Sequence, residues 1–156
     1  MFELRQIKGG SVWEKFVLTQ PHTLFVQSSH YGDFYDALGE EAWILGVFKG
    51  EELVGGSLVV STHAKRGKFL YIPYGPILPR MNQVEVFNVW TQAVFNLAKA
   101  GGYNFLRVSP FIEAGEGSRA MFRQEKFRLA PMHILAETTW LLNIEKSEDN
   151  LLTGMN

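Results

Sequence analysis

The alternation of apolar and polar positions divides the chain into short elements of helical and strand spacing. Ser11 with Glu14 reads as a capping box opening a helix over residues 12–18, which stops before Pro21 and turns Val12, Phe16 and Val17 to the core. Residues 24–27 are a brief apolar run that reads as a short strand. Ser28 or Ser29 caps a second helix, with Tyr31, Phe34, Tyr35 and Leu38 on one side and Gly39 at its exit. Residues 43–48, the turn Lys49-Gly50-Glu51 and residues 53–61 read as an antiparallel hairpin. Gly55 and Gly56 in its second arm mark a bulge or a close backbone approach. A polar loop over residues 62–67 follows.

The next stretch organises the rest. Phe69, Tyr71 and Ile72 are strand formers. The strand breaks at Pro73, which has no N–H to donate to a ladder. Gly75 permits an unusual backbone angle, and Pro76 and Pro79 stiffen the exit. A long helix over residues 84–100 follows, with Asn82 and Glu85 as its N-terminal pair, Phe87, Trp90, Val94 and Leu97 on one face, and Gly101-Gly102 as its stop. Residues 103–108 read as a strand ending at Ser109-Pro110, residues 113–119 as a glycine-rich turn, and residues 120–126 as a short helix. Residues 134–143 read as a final strand, and Ser147 starts a further helical segment. Mostly antiparallel strands with a βαβ unit in the middle make this an α+β chain. The layout is similar to the GNAT acyltransferase fold, a mixed, largely antiparallel sheet flanked by helices whose central strand splays from its neighbour. A strand that breaks into a rigid splay ahead of a helix builds a cleft; fold alone names no ligand.

Composition narrows the function classes. The chain has 156 residues, 46% of them hydrophobic and 13% aromatic, enough for one domain with a sizeable core. Fifteen basic against sixteen acidic residues, spread along the sequence, argue against a nucleic-acid-binding face, with Lys65, Arg66 and Lys68 the one small basic patch. The absence of cysteine excludes disulfides and thiolate chemistry. The first seven residues lack the features of a signal peptide, and no apolar run approaches the ~20 residues that cross a bilayer. The expectation is a cytoplasmic protein whose membrane contact, if any, is peripheral.

Few residues stand out as chemical. An acetyl-CoA enzyme of this fold offers backbone N–H groups to a pyrophosphate ahead of the long helix; here that loop, residues 74–82, holds two prolines and one glycine, so no cofactor is expected. In the other glycine-rich stretch Glu113 and Glu116 would repel phosphate, and a solvated turn is the better reading. His22, His30, His63 and His133 are scattered, without metal-ligand spacing. Glu40-Glu41 and Glu51-Glu52 fall at turns, where solvated carboxylates are ordinary. Arg107, inside an apolar strand, either faces solvent or lines a cleft. Tyr71 and Tyr74 either pack at the strand break or orient a polar ligand through their hydroxyls.

Three stretches taken together resemble one family. Residues 25–34 read Phe-Val-Gln-Ser-Ser-His-Tyr-Gly-Asp-Phe, residues 71–76 read Tyr-Ile-Pro-Tyr-Gly-Pro, and residues 106–110 read Leu-Arg-Val-Ser-Pro, with Thr-Thr-Trp-Leu-Leu-Asn at 138–143. In this order and spacing they resemble the FemABX family of aminoacyl-tRNA-dependent peptidyltransferases, which build peptidoglycan interpeptide bridges. The resemblance covers residues 11–156 and implies a first GNAT-like domain over residues 1–145, with residues 146–156 beginning a second. It implies transfer of an amino acid from aminoacyl-tRNA to an amine of a UDP-linked or lipid-linked muramyl peptide, without CoA and with the tRNA met mainly by the second domain. By the same resemblance Tyr31, Asp33, Tyr71, Tyr74, Gly75 and Arg107 are the expected substrate-binding residues; no catalytic base and no metal site are named. The chain departs from the family at Tyr31, where some members have tryptophan, at Asp33, near a lysine that binds substrate phosphate, and at Tyr74, where a basic residue is common. Two other readings remain open: a small N-acetyltransferase using acetyl-CoA, and a non-catalytic module that self-associates through Leu151 and Leu152.

Overall fold

The hairpin at the centre of the chain forms as its pattern predicts. In the computed structural model, which describes residues 1–21, 25–65, 67–79, 83–136, 138 and 142–154, strand β2 (Ala42–Lys49) turns through Gly50 and Glu51 into β3 (Glu52–Ala64). Gly50 sits at φ +64°, a conformation glycine adopts without steric cost. On one side β2 pairs with β1 (Phe2–Ile7), and on the other β3 pairs with β4 (Gly67–Pro73), all antiparallel. β5 (Phe105–Ser109) adds in parallel, giving a five-stranded sheet in the order β1-β2-β3-β4-β5. The strand β1 is absent from the sequence reading: its alternation is real, but it is a half-buried edge strand with a weak apolar face.

Helices cover both faces. α3 (Gln83–Ala100) lays Phe87, Trp90 and Val94, all fully buried, against Val47, Val59, Leu70 and Ile72, and α4 (Glu116–Gln124) adds Met121 to the same core. On the other face α1 (Gly10–Leu18) inserts Trp13 and Val17 against Ile44, Leu58, Val60, Phe69 and Tyr71, with Tyr31 and Tyr35 of α2 (Ser29–Ala37) packing beside them. A last helix, α5 (Glu148–Thr153), follows Ser147 as the sequence predicts.

Several expectations are corrected. Residues 25–27 form a 3₁₀ turn rather than a strand, because Gln27 turns its side chain inward. Val12 is exposed and Trp13 takes the core position. No capping box forms on α1: its N-cap is Gly9, and Glu14 instead accepts from the backbone N–H and hydroxyl of Ser29, fixing the start of α2. β3 extends to Ala64, so the polar loop is far shorter than predicted. The bulge lies between Val47 and Phe48, opposite Val54, while Gly56 makes the close approach: a Cβ there would stand 2.2 Å from Leu45 O. The glycine-rich stretch becomes the first turn of α4, which starts at Glu116. None of residues 134–136, 138, 142 and 143 is in a strand; the rest of that expected strand, like Asn82, lies outside the described residues.

The break in the sheet has a defined chemistry. β4 pairs with β3 only as far as Tyr71 opposite Val60, and pairing resumes at Ile77, which exchanges both backbone hydrogen bonds with Gly56. Between them Leu58 N–H would be unpaired. The fully buried Gln27 fills the gap: its Oε1 accepts from Leu58 N at 2.9 Å and its Nε2 donates to Pro73 O. Its own carbonyl accepts from Trp13 Nε1. Gly75 lies against the same amide, and a Cβ there would be 2.9 Å from Gln27 Nε2 and from Ile72 Cγ2.

At the opposite end of the sheet a second polar clasp holds the exit of α2. Glu40 accepts from Ser61 Oγ at 2.5 Å and His63 N at 3.1 Å, with His63 Nδ1 2.8 Å away, while Ser61 Oγ accepts from Glu41 N at 2.8 Å. Glu41 in turn accepts from Tyr103 OH. Glu40 and Glu41 are thus not merely solvated turn carboxylates. Burial pushes the Glu40 carboxyl upward, but the Ser61 and His63 hydrogen bonds outweigh it and hold the group below the usual carboxylate value.

Two predictions follow from these clasps. Gln27→Ala strands two buried backbone groups, at about 1–3 kcal/mol each; urea unfolding should show a loss in that range or above, and an unchanged midpoint would show that the amide carries no weight. Because the folded pKa of Glu40 is depressed, its contribution is complete above the unfolded value of 4.5 and is lost as pH falls through the folded value. Thermal melts should therefore show Glu40→Gln flattening the acid limb of the stability profile while leaving its slope at neutral pH unaltered.

Candidate functional site

The site begins where β4 leaves β3. Parallel pairing places Tyr71 beside Arg107 and Pro73 beside Ser109. Directly paired residues of neighbouring strands project to the same face, as Phe69 and Phe105 show by stacking with centroids 4.7 Å apart. Tyr71, Arg107 and Ser109 therefore share the face covered by α1 and α2, at the end where the sheet opens. Tyr74, next in the chain, holds φ +48°, a left-handed conformation uncommon outside glycine and worth attention at a site. Its ring meets Phe111 edge-on at 5.5 Å, and its hydroxyl donates to Ala136 O at 3.4 Å. The following Gly75–Pro76 peptide is cis.

Tyr74 stands between two hollows. The smaller, about 110 Å³, lies against Gln20, Gln27 and Ile77. The larger is a cleft of about 920 Å³ between β5, α4 and the segment after α4, lined among others by Tyr74, Arg107, Ser109, Arg119, Arg123 and Arg128. Glu113 is its one acidic lining residue among the described residues, and Arg123 is already paired with Glu116 at 2.8 Å. The cleft is thus cationic with aromatic walls. Arg119, Arg123 and Arg128 are missed by sequence reasoning; the i,i+4 spacing of Arg119 and Arg123 is the signal that was available.

The expected substrate-binding residues divide by place. Tyr74 and Arg107 line the cleft. Tyr71 is 6% exposed, and its hydroxyl makes no hydrogen bond among the described residues. Burial raises its phenol above the ordinary value; the Ser109 hydroxyl opposes this from close by without aligning into a hydrogen bond, and Tyr31, Tyr74 and Arg107 also act on it. An orphaned buried hydroxyl costs about 1–3 kcal/mol, so it calls for a reason. Tyr31 packs behind Tyr71, and its phenol, after burial, helps push Tyr35 up to about 12. Gly75 serves packing against Gln27. Asp33 is exposed on α2, 3.9 Å from His30, and does not line the cleft.

Among the described residues no cluster of three or more His, Asp or Glu could hold a metal ion. The loop ahead of α3, read from sequence as unsuited to a pyrophosphate, falls partly on residues 80–82, outside the described residues. No nucleophile–base pair faces the cleft among the residues named. What the arrangement offers is hydrogen-bond donors and positive charge along a concave wall, a surface for holding and orienting an anionic or carbonyl-rich ligand.

Comparison with known proteins agrees with this architecture. The structure of FemX superposes with a TM-score of 0.69 at 18% identity, over 78% of this chain and 31% of that one. An acetyltransferase from Trypanosoma brucei superposes with a TM-score of 0.59 at 13% identity, over 88% of this chain and all of the other. Glucosamine-6-phosphate N-acetyltransferase from Arabidopsis thaliana gives 0.60 at 8% identity, over 89% and 99%. At these identities the likeness shows the fold, that of the GNAT acyltransferases. The chain spans about a third of the length of FemX. No curated protein matches the sequence. The FemAB family model, however, matches residues 10–125, from the first residue of α1 to just past α4 and through every motif of the splay, and on that span the chain belongs to the FemAB family.

Proposed function

We propose that the chain is the first GNAT-like domain of an aminoacyltransferase that passes an amino acid from aminoacyl-tRNA to the peptide amine of a peptidoglycan precursor. The observation that carries this reading is the cleft beside β5, into which Tyr74 and Arg107, both within the span that matches the FemAB family, project their donors. Its donors suit the carbonyls and anionic groups of a muramyl peptide, UDP-linked or lipid-linked. Catalysis rests on positioning: the acceptor amine is brought to the ester carbonyl of the aminoacyl-tRNA, and proximity supplies most of the acceleration. The tRNA is met by a second domain, as the span of only 31% of FemX suggests, so residues 1–156 bind the acceptor without transferring to it. Such chemistry belongs in the cytoplasm, with at most peripheral contact with the membrane.

A second reading has one observation in its favour. The chain covers nearly the whole length of small acetyltransferases, so a CoA-dependent N-acetyltransferase keeps a place. Saturable binding of acetyl-CoA, with no response to muramyl peptide, would favour it.

The test is a titration of the isotope-labelled chain with muramyl pentapeptide, followed by NMR. Resonances of Tyr74, Arg107 and their neighbours should shift saturably, and Arg107→Gln should weaken binding about tenfold, the scale of one lost hydrogen bond to a charged group. Aminoacyl transfer should be undetectable for this chain alone. A spectrum indifferent to muramyl peptide sinks the acceptor reading, and turnover by residues 1–156 sinks the assignment of tRNA binding to a second domain.

A further inference from the structure

The unexplained atom in this site is the Tyr71 hydroxyl. It is buried and makes no hydrogen bond among the described residues, yet it lies amid polar groups: Ser109 and Arg107 on β5, and the phenols of Tyr31 and Tyr74. Arg107 has no ion pair among the described residues. Two hydroxyl donors and a guanidinium share one face, with no carboxylate paired to them among the described residues, a donor set suited to an anion.

We infer that Tyr71, Ser109 and Arg107 together receive a carboxylate of the bound peptide, beneath the edge of the cleft where β4 and β5 run paired. The inference rests on the peptide-binding reading above and deepens it. A carboxylate suits the set because its oxygens are planar and paired, matching the fork of a guanidinium with a hydroxyl donor on either side. The niche is covered in the structure. Leu135 packs against the hydrophobic cluster that contains Tyr71, and the adjacent Ala136 accepts from Tyr74 OH. These contacts are made by one short stretch of chain, and the ligand enters by displacing them; the Ala136 carbonyl already occupies a position on Tyr74 that a peptide carbonyl would take.

The experiment compares ligands that differ only at the terminal group. The 156-residue chain is titrated with muramyl pentapeptide bearing a free C-terminal carboxylate, with its C-terminal amide, with an acetylated dipeptide carboxylate, and with inorganic phosphate. The carboxylate form should bind about tenfold more tightly than the amide. Tyr71→Phe should abolish that preference while leaving Tm unchanged or raised, because it deletes a hydroxyl that has no partner. A structural role predicts the reverse pattern, with Tm lowered and the preference kept, and that result overturns the inference. Should Tyr71→Phe fail to fold, Ser109→Ala and Arg107→Gln carry the same test, each expected to reduce the preference. Muramyl peptide that binds equally well as acid and amide overturns the carboxylate receptor and leaves the proposed function standing. Binding of the dipeptide carboxylate without muramyl peptide does the opposite. Phosphate displacing the dipeptide at equal concentration, or no binding of any carboxylate, overturns the inference outright.

Discussion

The amide of Gln27 is the interaction on which the rest of the site depends. A sheet cannot open between two strands without leaving backbone groups unpaired, and in a dry interior each such group is costly. Here the opening lies between the Val60–Tyr71 pair and the Gly56–Ile77 bridge, and one buried side chain serves a donor on β3 and an acceptor on β4. Other features follow from holding that amide in place. Trp13 anchors its backbone from α1, Gly75 leaves room for it, and Gly32 lets α2 sit close on Leu58, whose Cδ1 would be 3.1 Å from an added Cβ.

The cleft is built separately, by β5, α4 and the segment after α4, and meets the splay at Tyr74. Once β4 turns away after Pro73, Tyr74 is carried to the rim in a left-handed conformation and β5 is left as an edge among the described residues. Arg107 and Ser109 of β5 line that hollow, which α4 and the following segment enrich with arginine. The two helices on the other side are held separately, by Glu14 at the start of α2 and by Glu40 after its end.

The relation to acetyltransferases is clear in the same terms. The fold is shared, and the family match places the chain in the FemAB family. The splay serves either chemistry, since what it supplies is a concave edge between two strands; the side chains along that edge give the site its character.

Much of the architecture was legible in the sequence. The hairpin around Gly50, the proline break at residue 73 and the apolar face of α3 depend on local periodicity and on residues with one strong backbone preference, so they read correctly. Tyr74 and Arg107 were legible as cleft candidates because a strand break and a charge in an apolar run are anomalies visible in one dimension. The sequence could not reveal why Gln27 and Gly75 stand where they do, since their partners lie 31 and 46 residues away for Gln27. Separations of 21 and 23 residues likewise hid the Glu40–Ser61–His63 clasp. Periodicity reports which face of an element is buried; which buried polar groups meet across elements is decided only when the chain closes on itself. The tertiary structure alone left the Tyr71 hydroxyl buried and without a hydrogen bond among the described residues, because that state depends on what the other strands and helices bring to it.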